Sequence, residues 1–477
     1  MGVEWLAAPD HWLGRLVFQR ALALVYLDAF LVALIQFRGL LGERGLLPIP
    51  RFVAAVPFGA APSLFHWRYS DRLFAAVCTA GLALAAAAAA GATDLVPWPV
   101  AMLFWASLWA LYLSIVNVGQ TWYSFGWETL LCEIGFLAIF LGNAQVTPLG
   151  PLVFLLLWIL FRVEFGAGLI KMRGDACWRD LTCLYYHHET QPMPNPLSWW
   201  FHHLPRPLHR AEVLGNHVAQ LVMPWLLFLP QPVGSLAALA VLATQSWLVL
   251  SGNFAFLNVL TMVLAVPALD DAALRRVIPI DAPATTLPDA YLALALAVTG
   301  LVLVLSVRPA LNLLSPRQRM NSSFDPLHLV NTYGAFGSVT KERYEVVVEG
   351  TVERVLTAGT VWREYGFRGK PGDVARRPPQ VAPYHLRLDW LMWFAAMSSP
   401  AYHEWFVPLA AKLLEADREV LRLLRHDPFD GARPAFVRAR LFHYRFTTPA
   451  ERRESGAWWV RTYVAEYLRP VTLRTAT

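Results

Sequence analysis

The sequence predicts an α-helical multi-pass membrane bundle of about nine spans, seven at the lower count, followed by a water-soluble α+β domain with an antiparallel sheet. Three observations predict it. Of 477 residues, 56% are hydrophobic and only 16% are charged, whereas soluble domains carry about 25% charged residues. Apolar stretches of the length that crosses a bilayer, about 20 residues, recur up to residue 307 and then stop. Charge divides at the same place: residues 1–309 hold 16 Lys+Arg against 17 Asp+Glu, while 310–477 hold 24 against 17. The expected division is therefore a membrane domain over 1–309 and a water-facing domain over 310–477. With only 4 Cys, a disulfide scaffold is excluded.

Taken in order, the expected spans are 15–37, 72–91, 98–116, 126–142, 150–170, 211–229, 233–250, 253–268 and 289–307. The first carries Arg15, Arg20 and Asp28 and has no basic region ahead of it, so it reads as a retained span rather than a cleaved signal. Leu6 stands where a myristoylation signal needs Ser or Thr. The run Ala85–Ala90 offers a small-residue face for close helix approach. Only Ser251, Gly252 and Asn253 divide the seventh and eighth stretches, which would also suit a re-entrant pair. Beyond Arg308 and Pro309 the period changes. Arg343–Leu356 reads as strand–Gly–strand, Tyr402–Arg425 as an amphipathic helix ended by Asp427-Pro428, and Phe436–Phe446 and Trp458–Leu468 as strands. Arg residues of this region would suit anionic headgroups, so membrane lipids are expected partners. No nucleic-acid motif occurs. Loop charge, with Arg38, Arg44, Arg51 and Arg68 in one loop and Lys171, Arg173, Arg179, Arg206 and Arg210 in another, places these loops and the C-terminal region in the cytoplasm.

Polar residues inside apolar spans are the first candidates for function, because they are costly there and must face the bundle interior. They are Asp28, Glu128, Glu133, Arg162 and Glu164. A structural ion pair of Arg162 with Glu128 or Glu133 is expected, and a proton or substrate site is the alternative. Asn216, His217 and Gln220 share one helix face, which interhelical hydrogen bonds explain. Lys171 is the sole lysine of residues 1–309. It ends the fifth stretch two turns after Glu164. Desolvated, it would suit a base; otherwise it is an interfacial lysine whose head reaches the headgroups. Cys177, Cys183 and His187 lack the pair spacing and fourth ligand of a zinc site, so no metal is expected. The two cysteines would form a disulfide on an oxidising side and stay free thiols otherwise. Cys78 and Cys132 read as packing residues. Trp178, Tyr185, Tyr186, Pro192, Pro194, Pro196 and Trp199 form an extended, aromatic strip, suited to docking a partner peptide or to capping the bundle.

No GxSxG, HExxH, P-loop or GxGxxG pattern occurs, so nothing points to a hydrolase, zinc protease, NTPase or dinucleotide enzyme, and no cofactor is expected. Three longer strings carry a resemblance. They are CWRDLTCLYYHHETQPMPNPLSW (Cys177–Trp199), NTYGAFGSVTKERYEVVVEG (Asn331–Gly350) and WREYGFRGKPGDVARRPPQVAPYHLRLDWLMWFAAM (Trp362–Met397). Together they resemble the lipase maturation factor family. The resemblance implies a multi-pass membrane protein whose animal members sit in the endoplasmic reticulum membrane and help secreted lipases reach their assembled form, with the C-terminal domain meeting clients on the lumenal side. That conflicts with the loop-charge orientation. Where animal members carry cysteines around the KPGD…RRP string, this chain has residues such as Gly369 and Pro379. The Arg- and Ala-rich composition, with 4 Lys among 40 basic residues, points to a bacterial inner membrane. A shorter string, Gly168-Leu169-Ile170-Lys171 with Asp175 and Trp178, resembles the lysine segment of vitamin K-dependent carboxylase-like membrane proteins. There a lysine at a helix end acts as a base. Three readings follow: a non-enzymatic membrane chaperone for exported lipase-like clients; a membrane enzyme with Lys171 as base, assisted by Glu164 or His187; and, more weakly, a transporter of a lipid-like substrate.

Overall fold

The computed structural model describes residues 3–473. Among the described residues, six helices are long and apolar enough to cross a membrane: Pro9–Leu40, Asp71–Ala90, Trp98–Val118, Gly150–Arg173, Val233–Ser251 and Asp289–Leu314. These correspond to six of the nine expected stretches. The other three are shorter, for reasons local to each. The stretch 126–142 forms only Gly126–Ala138, and the chain then turns at Gly142, whose φ of 73° a side chain resists. The stretch 211–229 is divided into helix Arg206–His217, a π turn Val218–Val222 and a short turn Met223–Leu226 that holds Pro224. The stretch 253–268 gives helix Leu257–Ala265, nine residues long, after the fully extended Gly252. Hydropathy averages over such breaks and cannot see them.

Polar groups fix the bundle from inside. The N-terminal turn of Trp12–Leu40 is capped by Asp271, which accepts from the Leu13 and Gly14 amides. Arg15 donates to the carbonyls of Leu141 and Val146 at the break after Ala138. Arg20 pairs with Asp94. Asp28 is half-buried, and its Oδ2 has no hydrogen-bond partner.

After Leu314 the chain makes a four-stranded antiparallel sheet. Its order is Arg363–Glu364, Arg343–Thr351, Phe436–Phe446, Trp459–Val471. The two strands expected late in the chain are both present. The expected second strand after Gly350 is not: Arg343–Thr351 runs straight through the glycine, pairing Gly350 with Val437. A Cβ at Gly350 would lie 2.7 Å from the Phe429 ring, so the glycine serves packing rather than a turn. The long helix expected over 402–425 is broken at Ala416, φ 53°, into Phe406–Leu414 and Arg418–Leu421. The basic excess of this region is partly consumed internally. Arg438 and Arg440 both pair with Glu349, and Arg461 pairs with Glu364.

Buried charges of the bundle are completed from the C-terminal region. Glu133 pairs with Arg162, as expected, and also accepts from the Asn331 amide at 2.9 Å and the Tyr333 hydroxyl at 2.5 Å. Glu128 pairs instead with Arg387, whose Nη1 lies at 2.7 Å, and with Tyr112. Burial between Glu128 and Arg387 holds the His385 imidazole down to about 4. Lys370 of the KPGD string is buried at 2.9 Å from Glu345, which also binds Arg343.

Candidate functional site

Lys171 lies in the last turn of Gly150–Arg173 and is buried. Two small residues open the way to it. A Cβ at Gly168 would stand 2.7 Å from Leu221, and one at Gly166 would stand 2.5 Å from the Tyr333 carbonyl oxygen. Glycine at these positions lets the π turn Val218–Val222 and the Asn331–Gly334 segment close on the helix. The π turn sets Gln220 toward Lys171, as such turns do at functional sites. Lys171 Nζ donates to Gln220 Oε1 at 2.7 Å and to Asn216 Oδ1 at 3.3 Å, and it lies 4.9 Å from the Trp178 ring centre. An ammonium has three donors, two of which these oxygens take.

Asn216 and Gln220, expected to share a face, thus converge on the lysine. His217 turns away, with Nε2 2.9 Å from the Trp178 carbonyl. Glu164 makes no ion pair with Lys171 among the described residues. Its Oε1 accepts from Gln245 Nε2 at 2.7 Å, and Gln245 Oε1 accepts from Asn258 at 2.7 Å. Gln245 and Asn258 escaped the sequence reading, although an amide inside an apolar stretch is the same signal that singled out the carboxylates. His187 is buried beside Phe336 and Phe254. Burial, with His188 and Lys171 nearby, pushes its imidazole down to about 3, so it stays neutral and holds a proton weakly.

A cavity of about 1090 Å³ reaches this lysine. Its walls come from the bundle, as Lys171, Gln220 and Gln245, and from the C-terminal region, as Tyr333, Trp390 and Phe394. Most of the lining is apolar with a few convergent polar groups, the pattern of a small-molecule or acyl-chain site. The arrangement can hold an apolar body with an anionic or carbonyl group at Lys171.

The aromatic strip is largely internal. Trp178, Pro192, Pro194 and Trp199 are buried, and Tyr185, Tyr186 and Pro196 are half-buried. Trp199 Nε1 donates to the Thr447 carbonyl at 2.8 Å, and Trp178 Nε1 donates to the Phe336 carbonyl at 2.8 Å. The strip thus joins the bundle to the sheet domain rather than standing open as a docking face. Of the two expectations for the strip, docking a partner peptide or capping the bundle, these contacts favour the cap; neither Trp nor Pro reveals burial by spacing. Cys177 and Cys183 form a disulfide; Cys78 and Cys132 are buried free thiols.

The strings in these buried joints are shared with known proteins. The model of the lipase maturation factor transmembrane domain matches residues 13–276, and that of the lipase maturation factor C-terminal domain matches residues 329–469. The chain belongs to the lipase maturation factor family. It is 42% identical to lipase maturation factor 1 of Bos taurus, over 98% of this chain and 90% of that protein. It is equally identical to lipase maturation factor 1 of Homo sapiens, over 98% and 89%. With lipase maturation factor 2 of Homo sapiens it shares 30% identity over 97% and 83%. No solved structure matches. A multi-pass membrane protein of this family is thereby established, and the buried Glu133–Asn331–Tyr333 and Glu345–Lys370 contacts show that its recognisable strings build the fold.

Proposed function

We propose that this chain is an integral-membrane maturation factor that assists the folding or assembly of exported lipase-like proteins without catalysing a reaction. The observation that supports it is the near full-length likeness to lipase maturation factor 1. The relatives matched are animal proteins, which favours the endoplasmic reticulum membrane and weakens the bacterial inner membrane that composition suggests. The C-terminal region faces the exported side in this reading. Support comes from the Cys177–Cys183 disulfide, which requires an oxidising compartment. Its neighbours touch that region: Asp175 Oδ2 accepts from the Val339 amide at 2.8 Å, and Trp178 binds Phe336. The loop arginines that suggest the opposite orientation serve structure in part, as Arg179 does in donating to the Met172 carbonyl at 2.7 Å.

The cavity ending at Lys171 favours a second reading, a membrane enzyme with Lys171 as base. One experiment separates the two. Cells lacking their own maturation factor are given this chain and a secreted lipase, and active lipase in the medium is measured. The maturation reading expects active lipase to be restored, and Lys171→Arg to retain most of the effect, because charge and apolar stem persist. Arginine cannot serve as a base, since its pKa stays above about 12. Loss of activity in a folded, well-expressed Lys171→Arg transfers the assignment to the enzyme reading. No restoration by the unmodified chain refutes a lipase client.

A further inference from the structure

The His-rich segment beside the cavity holds a cluster that the maturation reading does not use. His188 lies on helix Leu184–Thr190, while His209 and Glu212 lie one turn apart on Arg206–His217. Their ligand atoms all fall within 4.8 Å of one another. His209 Nδ1 is 3.0 Å from Glu212 Oε2, and His188 Nε2 is 3.7 Å from the same oxygen. Ligand atoms around a tetrahedral zinc ion stand about 3.4 Å apart, from bond lengths of about 2.0–2.1 Å. Small side-chain rotations bring these three to that spacing.

Three features distinguish the cluster from a carboxylate that merely bridges two imidazoles. His188 is 3% exposed, and its Nε2 has no hydrogen-bond partner; at 3.7 Å from Glu212 it is beyond hydrogen-bond reach. His209 Nε2 lies 3.3 Å from the His202 carbonyl oxygen. Both His209 nitrogens face acceptors, the carbonyl at Nε2 and Glu212 Oε2 at Nδ1; in the tautomer with the hydrogen on Nε2, Nδ1 turns its lone pair to the cluster, where an ion between it and Oε2 replaces the repulsion of two lone pairs by two metal bonds. A backbone carbonyl behind the ring is the common outer partner of a metal-bound histidine. Glu212 Oε1 is occupied by the Trp247 indole N–H at 2.9 Å, which orients Oε2 toward both histidines.

We propose that His188, His209 and Glu212 bind a divalent ion of the zinc type, with two nitrogen ligands and one carboxylate. His188 and Glu212 line the cavity, so the fourth coordination position faces it and is open to water or to a carbonyl or carboxylate group of a cavity occupant. The ion also ties the short helix Leu184–Thr190 to Arg206–His217. The sequence conceals the site because His188 lies 21 residues before His209, outside every zinc spacing.

The full chain, purified in detergent, is stripped with a chelator, titrated with ZnCl2 and assayed for retained zinc, and separately titrated with Co2+ while visible absorption is followed. The expected result is about one ion per chain, with the d–d bands of four-coordinate cobalt. His188→Gln and Glu212→Gln should weaken binding by at least about tenfold, while His443→Gln on the distant sheet should bind as the unmodified chain does. Unmodified protein that retains no zinc and gives no cobalt bands overturns the proposal, and so do folded variants that bind as well as it does. Should a variant fail to fold, the cobalt spectrum of the unmodified chain decides alone: tetrahedral bands support the site, and their absence refutes it.

Discussion

Replacing Arg387 by Met tests how the C-terminal region is held to the bundle. Arg387 is fully buried. Its Nη1 donates to Glu128 Oε1 at 2.7 Å and to the Trp122 carbonyl at 2.6 Å, and its guanidinium carbon lies 3.5 Å from the Tyr123 ring centre. Methionine removes the cation and leaves Glu128, itself fully buried, with an uncompensated charge. Breaking a buried pair this way costs about 3–5 kcal/mol, a large share of the 5–15 kcal/mol that folded proteins possess. Adding Glu128→Gln removes the stranded charge, so the double variant should be less damaged than the two single losses summed, by about 2–3 kcal/mol. Arg422→Met, at an exposed pair with Glu419, should change stability by less than about 1 kcal/mol. Thermal unfolding of the detergent-solubilised chain, followed by tryptophan fluorescence and by protease resistance, measures all four. An Arg387→Met variant as stable as the Arg422→Met control, or simple additivity with Glu128→Gln, refutes the reasoning.

Trp199→Ala should destabilise by about 3–5 kcal/mol, because the indole is 7% exposed and anchored to Thr447; activity per folded molecule should stay near normal, which parallel stability and lipase-secretion assays would reveal. Cys177→Ser with Cys183→Ser should cost about 2 kcal/mol, the low end for a short loop, and should abolish the effect of reductant on thermal unfolding. Acid should weaken the fold through His385, whose pKa burial lowers from 6.5 to about 4. A group depressed on folding adds stability above its unfolded value, so the contribution is complete above about pH 6.5 and lost as pH falls toward 4. Unfolding temperatures between pH 7.5 and 4.5 should show this, and His385→Asn should flatten the fall.

Much of the fold was legible because long apolar runs and alternating strands each obey one period. The bundle's six long helices and the strands Phe436–Phe446 and Trp459–Val471 were read this way. The Arg162–Glu133 pair was legible too, since a charge inside an apolar helix needs a partner within reach. What escaped depended on chain folding over hundreds of residues. Arg387 reads as one more arginine of a basic domain, yet it is the partner of Glu128, 259 positions away. Helix breaks at Gly142, Pro224 and Ala416 were invisible to hydropathy because breaks depend on single backbone angles. Whether Trp199 docks a peptide or caps the bundle was not legible, for the same reason that Lys171 was hard to place: interface and interior favour the same residue types.

The two family-model matches, 13–276 and 329–469, divide the sequence, but the charges do not divide with them. Glu133 is completed by Asn331 and Tyr333, and Glu128 by Arg387 and His385, all from beyond residue 310. Glu128, stripped of Arg387 in a low-dielectric interior, would incur several kcal/mol; Glu133 keeps Arg162 within the bundle and would lose its hydrogen bonds to Asn331 and Tyr333, about 1 kcal/mol each. Swinging the C-terminal region away from the bundle therefore costs one stranded buried charge and these hydrogen bonds together, more than a working cycle recovers from an ordinary contact of about 1 kcal/mol. The cavity lies at that same junction, with Lys171 on one wall and Trp390, three residues beyond Arg387, on the other. Its walls are held by the Glu128–Arg387 pair and the Glu133 hydrogen bonds that oppose the separation. An occupant consequently meets a preformed chamber, and selectivity must come from its shape and from the polar groups at Lys171 rather than from closure of two domains.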